Sequence, residues 1–133
     1  MIDMKDLLDS TDLKYDVDKD GDFRITVGFE NGRSQGVIVD CSPQKVDEDN
    51  YYRIYAKAAN LSHIQPEGFK DLLHESCLHT MGDWGLDPGG NLLYIVRVAA
   101  STLTPEALEE LIYLTGFIAD EKERALTNGE DRW

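Results

Sequence analysis

Residues 81–98 read MGDWGLDPGGNLLYIVRV, and the reading of this stretch decides the fold. Trp84 and Leu86 mark a short strand, Asp87-Pro88-Gly89-Gly90-Asn91 is turn chemistry, and Leu92 to Val98 is a long apolar strand. Alternation puts Leu92, Tyr94, Val96 and Val98 on one face and Leu93 and Ile95 on the other, with Arg97 as the only charge. A strand apolar on both faces belongs near the middle of a sheet, covered on at least one side. Helical patterns flank the hairpin, so both helices are expected to pack on its sheet. Trp84 is expected to be buried there, against the last helix.

Working outward toward the N-terminus, Tyr51 to Ala58 is a strand with Tyr52, Ile54, Ala56 and Ala58 facing one way. Before it, Ser42 to Asn50 reads as a polar loop. Val37, Val39 and Cys41 form a third strand. Phe23, Ile25, Val27 and Phe29 alternate with Arg24, Thr26 and Gly28, the cleanest half-buried strand in the chain. Asp20-Gly21 and Asn31-Gly32 are hairpin dipeptides, with positive φ expected at both turn positions. Leu13, Tyr15 and Val17 make a first strand, and residues 3–9 make a short helix through Met4, Leu7 and Leu8.

Two helices complete the pattern. The first starts at Pro66 and runs to Thr80, with Phe69, Leu72, Leu73, Ser76, Cys77 and Thr80 on one broad face. The second opens on Thr104-Pro105-Glu106: a capping hydroxyl, proline at the first position and an acid in the first turn. It continues through Leu108, Leu111, Ile112, Thr115, Ile118, Ala119, Lys122 and Leu126 until Thr127-Asn128-Gly129 stops it. The order is α-β-β-β-β-α-β-β-α. Short turns between the early strands demand antiparallel neighbours. The expectation is an α+β fold: an antiparallel sheet of about six strands with helices mainly on one face. One domain, residues 1–126, is followed by a tail, 127–133.

The 133 residues carry 26 acidic against 13 basic side chains, a formal net charge of −13. Phosphate backbones attract basic patches, so neither nucleic acid nor an anionic membrane surface is an expected partner. The acidity favours solubility and a basic partner. The N-terminal MIDMKDLLDS lacks the apolar run of a signal peptide. No stretch of about 18 apolar residues is present. A cytoplasmic location is expected, with Cys41 and Cys77 reduced and buried. The acceptor pattern Asn60-Leu61-Ser62 then has no glycosylation to receive.

Three motifs invite chemistry. Asp16 to Asp22 copies the first half of a calcium loop, but its twelfth position is Val27, which has no carboxylate. The flanks alternate as strands, and the glycine is explained by turn geometry. Gly32-Arg33-Ser34-Gln35-Gly36 is formally G-x-S-x-G, yet it joins two strands instead of a strand and a helix. His74-Glu75-Ser76-Cys77-Leu78-His79 puts His74 and Cys77 at ligand spacing but turns His79 away, and two ligands are not a site. Cys77 is expected in the core. No catalytic residue, metal ligand or cofactor is expected. The residues left off the core stripes are more informative: Leu78 and Met81, with His74 on the same side of the middle helix, and Tyr113 and Phe117 on the charged side of the last helix. These are the candidate contacts to a second copy or a protein partner.

In this order the chain resembles the YbjN-like family, whose fold is that of type III secretion chaperones. The features that carry the likeness are the acidic hairpin Asp18 to Phe23, Pro66-Glu67-Gly68-Phe69 opening the middle helix, and Leu72-Leu73. To these add Met81-Gly82-Asp83-Trp84-Gly85-Leu86-Asp87 with Gly90, Thr102-Leu103-Thr104-Pro105-Glu106 before Leu108, and Ile118-Ala119-Asp120-Glu121. They span Leu7 to Leu126. The resemblance implies a chaperone-like α+β fold, a homodimer formed around the middle helix, no enzyme activity and no cofactor. The function expected is a protein-binding module with a chaperone-like or regulatory role through a segment of another protein. The alternative is an acidic domain that binds a cation or small ligand at the Asp16–Asp22 turn.

Overall fold

The computed structural model describes residues 3–133, so Met1 and Ile2 of the expected domain lie outside the described residues. The elements are α1 (Met4–Asp9), β1 (Asp16–Val17), β2 (Phe23–Gly28), β3 (Ser34–Val39), β4 (Gln44–Val46), β5 (Asp49–Asn60), α2 (Pro66–Leu78), β6 (Asp83–Leu86), β7 (Asn91–Ala99) and α3 (Pro105–Thr127). The sheet is antiparallel with the order β1-β2-β3-β5-β7-β6, and β4 pairs with β5 off this path. Its seven strands and three helices make the expected α+β fold, one strand larger than the sequence suggested.

The core lies between the sheet and the helices. Ile25, Val37, Val39, Ile54, Ala56, Tyr94 and Val96 point from the sheet toward Leu108, Ile112, Thr115 and Ala119 of α3, all at most 2% exposed. Met4, Leu7 and Leu8 of α1 close one end. Thr104 caps α3, its hydroxyl accepting from the Ala107 amide at 3.1 Å, and Pro105 follows at the first position. Among the described residues no helix is long and apolar enough to cross a membrane.

Several expectations need correction. The polar loop after β3 contains β4, which folds back on β5 around Asp47 at φ +55°. All three β4 residues are exposed, so no alternation of burial betrays the strand. β1 is two residues long instead of beginning at Leu13. β7 is paired on both sides, by β5 and β6, but sits one strand from the edge instead of mid-sheet. The hairpin turns at Asp20-Gly21 and Asn31-Gly32 are three-residue loops, not two-residue ones, and the turn ending at Gly90 has the same form. Gly21, Gly32 and Gly90 donate to Asp18, Phe29 and Asp87 carbonyls at 3.0, 3.0 and 3.1 Å, and only the glycine takes positive φ. That is a type I turn followed by a left-handed glycine, used three times.

α2 departs furthest. Only Leu72 is buried, Phe69 is half-buried, and Leu73 and Cys77 of the expected core face are exposed. Cys41 is half-buried, so neither cysteine is fully enclosed. The cause is position: α2 packs on the edge strand β6, which offers room for one row of side chains. The tail is not loose. Arg33 Nη1 and Nη2 donate to the Gly129 and Glu130 carbonyls, both at 2.7 Å. The Trp133 ring lies 4.5 Å from Lys57 Nζ and edge-on to His63.

Candidate interaction surfaces

The edge formed by α2 and β6 holds an apolar cleft of about 260 Å³ lined by Phe69, Leu72, Leu73, Trp84, Gly85, Leu86 and Leu92. The local sequence explains it. Pro66 starts α2 just after β5, and the helix then runs along β6 on a short connection, leaving Leu73 and Leu86 on the two lips. Leu73 is 67% exposed, Leu86 48% and Leu78, one turn further, 80%. The floor is Trp84, which packs against Tyr94 with ring centroids 5.0 Å apart. Lys122 of α3 reaches over the Trp84 ring at 5.5 Å and bridges to both Glu75 oxygens at 2.9 Å, tying α2 to α3. Trp84 is thus buried, as expected, but the helix packed on its strand is α2, and the last helix reaches it through Lys122.

Two polar details belong to this edge. Trp84 lies in the edge strand, and its backbone amide donates to Ser76 Oγ at 3.0 Å, so α2 caps one of the strand's outward amides. Trp84 Nε1 is buried with no acceptor among the described residues. A buried unmet donor costs free energy unless something supplies an acceptor. Neither is legible in the residues alone: Ser76 reads as a small member of a core stripe, and the indole environment depends on three elements meeting.

The candidate contact residues do not form one patch. His74 and Leu78 are exposed on the outer side of α2. Met81, expected beside them, turns inward and packs against the core, because the chain leaves the helix at His79. His79 itself is half-buried, its Nδ1 3.0 Å from the Tyr94 hydroxyl. Tyr113 and Phe117 are exposed on α3 and stack on each other at 6.3 Å, with Phe29 from the end of β2 edge-on to both at 5.7 and 6.0 Å. Phe29 keeps the core face expected of it, half-buried and packed against the core, and its outer edge joins this surface cluster.

The chemical motifs resolve into structural roles. Asp18 Oδ1 accepts from the Asp20 and Asp22 amides at 2.9 and 3.0 Å, and Asp22 Oδ1 accepts from the Cys41 amide at 2.9 Å. These oxygens are held by backbone amides, two within the acidic turn and one from Cys41 after β3. Ser34 sits in a regular strand, its amide donating to Asp131 at 3.2 Å, far from the strained turn a nucleophile needs. Among the described residues one carboxylate group has cation-holding geometry: Asp120, Glu123 and Asp131. Arg33 fills it. Its Nε is 3.0 Å from both Asp120 oxygens, and its Nη2 is 2.9 Å from Asp120 and 3.3 Å from Glu123. The hydrogen bonds it donates to Asp120 hold the Arg33 guanidinium above its ordinary pKa. Burial pushes the Glu123 carboxyl above its ordinary value, against the pull of the Arg132 and Trp133 amides.

No family model matches the chain, and no curated protein matches it. Among solved structures, a chain from the crystal structure of the ExsC–ExsE complex is similar with a TM-score of 0.56 and 15% identity, over 83% of this chain and 79% of that one. That likeness establishes a shared fold.

Proposed function

We propose that the chain is a non-enzymatic, homodimeric protein-binding module of the YbjN-like, secretion-chaperone-like kind. It acts in the cytoplasm in a chaperone-like or regulatory role, by holding a segment of another protein. One observation carries this reading. The apolar cleft between α2 and β6, with Leu73 and Leu86 exposed on its lips, belongs to a fold shared with a chain that was solved as part of a two-protein complex. Exposed leucines clustered at one edge mark an interaction surface. The chain offers this surface, and among the described residues there is no constellation of nucleophile, base and oxyanion donor.

The outer side of α2, through His74 and Leu78, is the seam between copies, and the adjoining cleft takes the partner segment. A two-fold seam places the same patch on both subunits, so one substitution acts twice. Leu78→Glu sets two charges against each other near the axis of an already acidic protein and is expected to yield monomers. Light scattering at micromolar concentration decides it. A monomeric wild type would sink the dimer. A dimer that survives Leu78→Glu would remove α2 as its seam.

A further inference from the structure

The aromatic cluster on the outer side of α3 has chemistry of its own. Tyr113 is 46% exposed and Phe117 39%. Helical spacing puts exposed Glu106, Glu110 and Glu121 on the same narrow stripe as the two rings. Glu30, also exposed, follows Phe29 in the chain, and Glu109 lies beside the stripe with one oxygen on the Asp12 amide. Arg124 is the stripe's single base. Apolar rings open to solvent therefore lie within a border of carboxylates.

We infer that this patch docks a basic, amphipathic segment of a partner protein, with arginine or lysine side chains laid over the Tyr113 and Phe117 rings and their charged ends against Glu110 and Glu121. A cation over an aromatic face is attracted to the ring, and carboxylates at its edge supply charge-assisted hydrogen bonds. An uncharged apolar partner is excluded because it would strip water from the glutamates and return nothing. A second copy is excluded because a two-fold axis here would set Glu110 and Glu121 against their own kind. The inference rests on the protein-binding reading and adds the partner's charge. It uses α3, so its failure and that of the α2 seam are separable.

The test is fluorescence anisotropy with a short fluorescein-labelled peptide carrying arginine at every third or fourth position between alanine and leucine, and a matched peptide with glutamate for arginine. Saturable binding of the arginine peptide alone is expected, weakening steeply with salt. Tyr113→Ser with Phe117→Ser should lower affinity by about tenfold or more, as loss of central aromatic contacts does. Glu110→Gln with Glu121→Gln should lower it and flatten the salt dependence, and Val46→Ser on the exposed strand β4 should leave it unchanged. Melting curves confirm that each variant folds; if the ring variant does not, the glutamine variant carries the test alone. The proposal is overturned if the glutamate peptide binds equally, or if the α3 variants bind as the wild type does. It is also overturned if light scattering shows that the α3 variants, and not Leu78→Glu, dissociate a dimer.

Discussion

Glu123 shows what a single residue can hide. It lies at a helical position among polar neighbours, yet its side chain has no solvent exposure. Its oxygens accept from the Arg132 and Trp133 amides at 2.6 and 3.3 Å and face Arg33 at 3.3 Å. Burial is the largest influence on its carboxyl and raises the pKa above the ordinary 4.5. A group that titrates higher when folded adds stability below its unfolded pKa, and that contribution is lost as pH rises through the folded value. Glu123→Gln keeps an acceptor for the amides and cannot titrate. The wild type should therefore gain stability relative to Glu123→Gln as pH falls from neutral to about 4.5, read from denaturation midpoints. The depressed carboxyls Asp9 and Asp49 act below their ordinary 3.8 and do not share this window. Parallel pH profiles for the two proteins would refute the assignment. No signal in the sequence could have found Glu123, because its partner Arg33 is 90 positions away.

Among elements, the turns were legible in kind and misjudged in form. Asp20-Gly21 and Asn31-Gly32 identify hairpins correctly, but the loops carry one residue more than the dipeptides imply, with glycine alone left-handed. This gives a paired prediction. Gly32 has φ +83° and open space around it, so Gly32→Ala should cost roughly 1–2 kcal/mol through backbone strain alone. Gly28, also in open space, has ordinary strand geometry, and Gly28→Ala should stabilise by about 0.5–1 kcal/mol. Chemical denaturation of both variants checks the signs, and a gain for Gly32→Ala would contradict the turn. The long strands and α3 could be read from burial periodicity because one face of each is enclosed. β4 could not, because all of it faces water. The face of α2 was misread because it borders an edge strand: its apolar residues outnumber the places the core provides.

At the scale of the molecule, charge dominates. With 26 acids and 13 bases, repulsion works against the compact state. Raising ionic strength from about 0.01 M to about 0.15 M shortens the screening length from about 30 Å to about 8 Å. The melting temperature should rise by a few degrees, and a fall would mean that favourable ion pairs such as Arg33–Asp120 outweigh the repulsion. The sequence by itself determined the α+β class, the antiparallel neighbours, the hairpin pivot at residues 81–98 and the acidity, since alternation, helical spacing, turn residues and charge are local or summed properties. The tertiary structure alone decided which apolar residues face outward. Leu73 and Leu78 are left at an edge, Met81 turns inward, Phe29 joins Tyr113 and Phe117, and Arg33 closes on Asp120 and the tail. Exposure and pairing of this kind depend on how many elements arrive at one place, and residues distant in the chain meet only when the sheet order and the packing of helices bring them there.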